Sequence, residues 1–301
     1  MMTTTTERNV SGTAAVASVD VRRGVPEDGE VCGRICFEAF RSIAERHGFP
    51  PDFPTPEVGI AVWSALVSNP GFYTVVAARD GEVVGSNFLD ERSQIAGVGP
   101  ITVDPAAQDL GVGRHLMEDV LRRATRRGFA GIRLVQAAYH PRSLALYASL
   151  GFVVREPLAC VQGPAIGEEI PGYTVRLAAQ DDVDLCAEVC RAVHGHHRSV
   201  ELGDAIRAGA ATVVEHDSRI VGYSSGVAFF GHSVAETGEG LRALIAAAPA
   251  FGGPGILVPM RDGGLLHWCL RHGLRVVHAM NLMTLGLYNE PVGAYLPSVL
   301  F

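Results

Sequence analysis

The chain has 301 residues, 48% of them apolar and 19% charged, with a formal net charge of −7 and no lysine among its 25 basic residues. That length suits two domains, each able to bury a core, and the composition is that of a folded globular protein. The missing lysine excludes Schiff-base, P-loop and protein-kinase chemistry, and an acidic balance without a basic arm argues against nucleic acid as the main partner.

Residues 1–18, rich in Thr, Ala and Ser, have neither the basic start nor the apolar core of a signal peptide and are expected to be disordered. A strand is expected near 19–23, a helix over 27–46, a Pro-rich loop "GFPPDFPTP" and a second helix over 57–68. "FYTVVAAR" and "EVVGSNFLD" read as strands joined by the hairpin turn "RDGE", and "GVGPITV" as a further strand. A helix over 110–127 repeats apolar residues at three- and four-residue spacings and ends on Gly128. Strand "GIRLVQAA", helix 141–149 and strand "FVVREPLACVQ" follow. "GPAIGEEIPG" reads as the start of a linker, placing domains at 19–163 and 173–301 around residues 164–172. The most apolar run, "LRALIAAAPAFGGPGILV", is broken by Pro249 and Pro254 and cannot span a membrane, so a cytoplasmic protein is expected. The six cysteines suit reduced thiols; Cys32/Cys36 and Cys186/Cys190 fall at apolar helix positions, and no metal is expected.

The two halves echo one another. Val21, Arg22, Asp28, Cys32 and Cys36 recur as Val175, Arg176, Asp182, Cys186 and Cys190, each 154 residues later (175 − 21). "DGEVVG" recurs as "DSRIVG" 137 residues later (217 − 80), and Gly151 as Gly273 after 122. A shortened second copy of one domain follows.

"VDPAAQDLGVG" turns from a strand into a helix, leaving first-turn amides without intrahelical acceptors at the positive end of the helix dipole. Gly111 and Gly113 permit close backbone approach, so the turn reads either as a phosphate seat or as a tight turn.

Its surroundings decide between these. "QDLGVG" matches the [Q/R]xxGx[G/A] pantetheine-pyrophosphate motif of the GNAT acetyltransferases, and "YHPRSLALYASLGF" resembles the motif that follows it there. The resemblance implies an α/β (α+β) fold of two GNAT-like domains, each a mixed, mostly antiparallel twisted sheet flanked by helices. In the first, the fourth and fifth strands splay into a cofactor cleft. It implies acetyl-CoA as acyl donor, with its arm on Ile101, Thr102 and Val103 and its pyrophosphate on the turn formed by Gln108, Asp109, Leu110, Gly111, Val112 and Gly113. Arg114 and Arg142 would add charge, and His140 stands where many members carry Asn. Tyr147 falls where the family often places the hydroxyl that protonates the leaving thiolate; it is also readable as a packed aromatic. Glu91 is the favoured base, with Asp90 and Glu38 as alternatives, and an enzyme needing no base remains open. The four arginines at 122, 123, 126 and 127 read as a polar helix face.

In the second half, Gly238 and Gly240 precede a helix, but Glu236 and Glu239 bring negative charge where a pyrophosphate would sit, and no equivalent of Tyr147 follows. The resemblance therefore implies one active and one degenerate domain. The second would help wall an acceptor pocket, with His196, His197, His232, His267 and Trp268 as lining candidates. The expected reaction is acetyl transfer to a small-molecule primary amine, with a homodimer possible. A non-catalytic acetyl-CoA sensor or an interaction module is the alternative.

Overall fold

The structure is a computed structural model that describes residues 18–300; the segment expected to be disordered lies, but for Ser18, outside the described residues. In the first half β1 (Val19–Arg23), β2 (Phe72–Arg79), β3 (Glu82–Asp90) and β4 (Ile95–Val98) form consecutive antiparallel neighbours. α1 (Gly29–Arg46) and α2 (Pro56–Ser68) cover one face, burying Cys32 and Trp63 against Val76 and Phe88. α3 (Val112–Arg127) covers the other, laying Leu116, Met117, Val120 and Ala124 on Val75, Ala77 and Leu89. The alternation of Val75 and Ala77 against Thr74 and Val76 along β2 serves both layers. Gly128, at φ 74, ends α3 with its amide on the Ala124 and Thr125 carbonyls.

The strand expected through "GVGPITV" is broken. β4 stops at Val98, Gly99 turns at φ 129, and β5 (Thr102–Val103) resumes on β3. β6 (Gly131–Ala137) pairs parallel with β4, α4 (Pro141–Ser149) crosses over, and β7 (Val153–Gln162) returns.

The second half repeats this order with β8 (Tyr173–Leu177), α5 (Val183–His194), α6 (Ser199–Arg207), β9 (Thr212–His216), β10 (Arg219–Ser224) and β11 (Ser233–Ala235). Next come α7 (Gly238–Ala247), β12 (Ile256–Pro259), α8 (Gly263–Arg271), β13 (Arg275–Gly286) and β14 (Ala294–Leu296). The repeat extends to single interactions. Asp28 accepts from both Nη atoms of Arg22 at 2.6 and 2.8 Å and from the amide of Val25; Asp182 accepts likewise from Arg176 at 2.7 and 2.9 Å and from Ala179.

The sequence boundary at residues 163–173 does not divide the sheets. β13 inserts between β6 and β7, and β12 pairs with the far edge of β7, so two strands of the second half complete the first sheet. Leu158 on β7 lies opposite Met280 on β13, and these are equivalent positions of the two copies, 122 residues apart (280 − 158), as Gly151 and Gly273 are. Equivalent residues can face each other across an antiparallel pair only at an internal two-fold axis, so the halves are related by exchanged strands. No helix among the described residues is long and apolar enough to cross a membrane.

Candidate functional site

The break between β4 and β5 creates the site. β4 stays paired with β6 only as far as Gly97 opposite Arg133, while Thr102 and Val103 bond to Ser86 and Gly85 of β3 on their other side. The backbone edge of residues 101–103 that would have met β6 therefore opens into a wedge. Gly85 allows this approach, since a Cβ there would stand 2.6 Å from the Thr102 carbonyl oxygen.

A cavity of 620 Å³ fills the wedge. Ile101, Thr102, Val103, Gln108, Asp109, Gly111, Val112, Gly113, Arg114, His140, Arg142 and Tyr147 line it, so the structure gathers the expected cofactor residues with one exception. Leu110 does not line it and is 46% exposed. The lining also includes Ala39, Phe40, Ser42, Ile43 and Arg46 of α1. Sequence reasoning missed these because their three- and four-residue spacing reads as a core-facing helix stripe.

The turn before α3 is wound by Asp109 (φ 67) and Gly111 (φ 82), both left-handed. The helical ladder begins with the His115 amide on the Gly111 carbonyl at 3.2 Å, and no side chain among the described residues caps the turn, so the amides ahead of it, on residues that mostly line the cavity, lack intrahelical acceptors. A Cβ on Gly113 would make only ordinary contacts with the protein, the nearest at 3.5 Å to Leu146, so this glycine keeps space for something in the cleft. Arg142 pairs with Asp109, and Arg114 donates to Ser149 Oγ at 2.8 Å. With Arg46 they put three guanidiniums on one cavity, an arrangement suited to a diphosphate.

Tyr147 is both a packed aromatic and part of the cavity wall. It packs against Phe152 with ring centroids 6.3 Å apart, is 8% exposed, and lines the cavity. Burial pushes its hydroxyl above the usual phenol range, so it stays protonated and can donate. Burial, with the nearby Arg142 charge, lowers His140 to about 4, leaving a neutral imidazole at the start of α4.

The carboxylates expected as bases are engaged elsewhere. Glu91 accepts from Arg123 Nε at 2.7 Å and Nη2 at 2.9 Å, with Arg127 at 3.8 Å, and does not line the cavity. Two of the four arginines read as a plain polar face are thus Glu91's partners. Asp90 holds Arg92, which bridges to Asp204 of the second half at 2.9 Å, and Glu38 holds Arg41.

The equivalent slot of the second half is closed. β14 pairs with β11 and touches β12, filling the gap that stays open between β5 and β6. Thr237 Oγ1 accepts from the Gly240 amide at 3.1 Å, capping α7 where α3 has no such cap. Position 269, equivalent to Tyr147 by the 122-residue offset, is Cys269, a buried thiol pushed up to about 12 by burial.

Of the expected second-half lining residues, His196 and His232 are buried near His194, whose Nε2 lies 3.1 Å from that of His232; burial lowers the pKa of all three. His197 sits at the seam between the halves, its carbonyl accepting from Ser93 Oγ at 3.0 Å. His267 and Trp268 lie on α8, away from these, with Trp268 against the second-half core. The Cys32/Cys36 and Cys186/Cys190 pairs are buried in apolar clusters.

Residues 37–152 match the sequence model of the Acetyltransferase (GNAT) family. Among solved structures, the chain is similar to a protein of Pyrococcus horikoshii assigned as an acetyltransferase, with a TM-score of 0.71 at 19% identity over 97% of this chain and 96% of that one. A GCN5-related N-acetyltransferase of Sphaerobacter thermophilus gives 0.58 at 16% over 90% and 96%. A tandem GNAT protein from the clavulanic acid biosynthesis pathway gives 0.55 at 14% over 89% and 98%. No curated protein sequence matches the chain. The family match spans the broken fourth strand and the glycine turn at the head of α3, and the likeness to these solved structures gives the chain the GNAT fold in two GNAT-like regions.

Proposed function

We propose that the chain transfers an acetyl group from acetyl-CoA to the nitrogen of a small-molecule primary amine within a ternary complex, using the first half as the catalytic unit. The contrast between an open, uncapped cleft in the first half and a filled, capped one in the second carries this reading. Acetyl-CoA would supply the activated acetyl carbon. Its arm would lie along the free backbone edge at Ile101–Val103 and its diphosphate on the amides of residues 109–114, flanked by Arg46, Arg114 and Arg142. Tyr147, held neutral by burial, donates a proton to the thiolate released when the amine displaces it. Glu91, tied to Arg123, is not assigned a catalytic role. The second half supplies the seam around His197 and the strands β12 and β13, supporting one side of the acceptor region.

The test is a thermal-shift titration with acetyl-CoA beside a screen of primary amines with thiol-release detection. Stabilisation that saturates with acetyl-CoA, together with amine-dependent thiol release, is expected. Stabilisation without release by any amine would favour an acetyl-CoA sensor, and neither effect an interaction module.

A further inference from the structure

The loop between α1 and α2 carries a carboxylate that the cofactor cleft does not use. Asp52 is half-buried, and its Oδ1 is fully buried with no hydrogen-bond partner among the described residues. No ion pair forms with it among them either, in a chain whose other buried acidic groups, Asp28, Asp90, Glu156 and Asp182, all hold an arginine. An ionised group in that position is costly unless something else completes it.

Its surroundings indicate what that is. Phe49 of the same loop stacks on Tyr139, which follows β6, at 4.6 Å, and the His278 ring of β13 meets both at 5.8 and 5.6 Å. His47 closes on Tyr139 from the end of α1 at 5.3 Å. Phe53 packs edge-on against Phe40, a wall of the cofactor cavity, and beside Phe230 of the second half. Tyr139 is next to His140, another wall. The aromatic group therefore adjoins the cofactor cleft without being part of it.

The ionisable groups that feel the Asp52 charge are Cys36 of α1, Tyr139 and Cys160 of β7, each pushed further up by it and so kept neutral. His278 is lowered by burial. A negative charge on the loop that carries Phe49 and Phe53, close enough to act on Tyr139 of the aromatic stack, is complementary to an organic cation, which gains both the ion pair and a ring face.

We propose that Asp52 and the Phe49–Tyr139 stack form the acceptor subsite, and that the acceptor arrives there as an alkyl- or aralkylammonium ion. This rests on the amine-transfer reading above. Burial raises the Asp52 carboxyl to about 6, so it is ionised at pH 7–8 and able to take the proton the ammonium must shed, leaving the nitrogen lone pair free.

Asp52→Asn in the full chain separates this role from a structural one. Because the carboxylate lacks a partner among the described residues, its removal is expected to raise the Tm at pH 8 while leaving acetyl-CoA stabilisation unchanged. Calorimetry with benzylammonium chloride, at saturating CoA, is expected to show binding to the wild type, at least tenfold weaker binding to Asp52→Asn, and weaker binding to Phe49→Leu. Neutral benzyl alcohol should not distinguish wild type from Asp52→Asn. If amines drive thiol release, the acceptor KM should rise at least tenfold in Asp52→Asn with the acetyl-CoA KM unaltered. Equal benzylammonium binding by wild type and Asp52→Asn, or none by the wild type, overturns the subsite. Absence of thiol release with any amine, alongside benzylammonium binding that needs Asp52, overturns the transfer reading and leaves the subsite standing.

Discussion

The two halves share a frame down to single ion pairs, yet one keeps a cleft and the other has closed it. Three local differences suffice. The first half breaks its fourth strand at Gly99 and leaves one edge of residues 101–103 free, whereas β14 pairs with β11 where a ligand arm would lie. The first leaves the head of α3 uncapped; the second gives its helix amide to Thr237. The first places Tyr147 in the cavity wall, and the second has buried Cys269 there. A cleft is thus held open at backbone edges and helix ends that the chain could satisfy internally and does not, which costs fold stability.

The largest effect should come from filling the space at Gly113. A Leu side chain there projects into the cavity, so Gly113→Leu is expected to abolish acetyl-CoA-dependent stabilisation, worth about 4.1 kcal/mol at a thousandfold excess over Kd. Gly238 opens the matching helix of the second half, and a Cβ there would meet nothing within 4 Å. Gly238→Leu should leave the acetyl-CoA shift intact. An equal loss in both variants would mean that the first cleft is not the ligand site.

The strand that closes the second half should behave oppositely. Leu296 is 1% exposed and packs in the core that unites β12, α7 and α8. Leu296→Ala should cost about 3 kcal/mol of unfolding free energy through lost burial and a residual cavity, measured by urea denaturation, with acetyl-CoA affinity unchanged. A change in affinity without a change in stability would show that β14 acts on the first cleft instead of sealing the second.

What could be read from the sequence follows the same division between local and non-local. The "RDGE" hairpin was legible because Asp80 and Gly81 carry positive φ in one short turn, at 52° and 85°, and α3 because its apolar spacing and Gly128 are contained in the helix. The expected cofactor residues were proposed from a motif, and twelve of the thirteen line one cavity; Leu110 does not, its side chain being exposed. The insertion of β13 was not legible, since pairing between strands more than a hundred residues apart leaves no trace in either strand's own periodicity. The direction of Glu91 was hidden for a related reason. Its position just beyond β3 was right, but its direction is set by Arg123 and Arg127, four residues apart on a helix packed from the far face. Asp52 lay in a Pro-rich loop whose composition says only that it turns.

Tyr147 sets the next scale. Tyr147→Phe keeps the ring that packs on Phe152 and removes only the hydroxyl. Loss of a positioned proton donor is expected to lower kcat about 100-fold, roughly 2.7 kcal/mol in the barrier, with acetyl-CoA affinity and Tm held. Cys269→Ser at the equivalent position should leave kcat unaltered. An equal kcat in Tyr147→Phe would reduce Tyr147 to a packing residue.

The smallest effect tests the shared frame itself. Asp28 and Asp182 have side chains only 8% and 11% exposed and are held below the ordinary carboxylate range chiefly by hydrogen bonds from Arg22 and Arg176. A carboxylate with a depressed folded pKa contributes stability above its unfolded value, near 3.8, and loses it as the pH falls through the folded value. Because both arginines are 40% or more exposed, each pair is expected to contribute only about 1 kcal/mol. Asp28→Asn and Asp182→Asn should therefore each lower stability by that amount at pH 7, and the gap to the wild type should close below pH 3.8, where the native carboxyls begin to protonate. If the copies are energetically equivalent, the two variants shift the denaturation midpoint equally and the double variant gives the sum. Arg176 also meets Glu215 at 2.8 Å, whereas Arg22 has no second ion pair among the described residues. Any inequality should therefore appear as a smaller loss in Asp182→Asn, where Arg176 keeps a second anion.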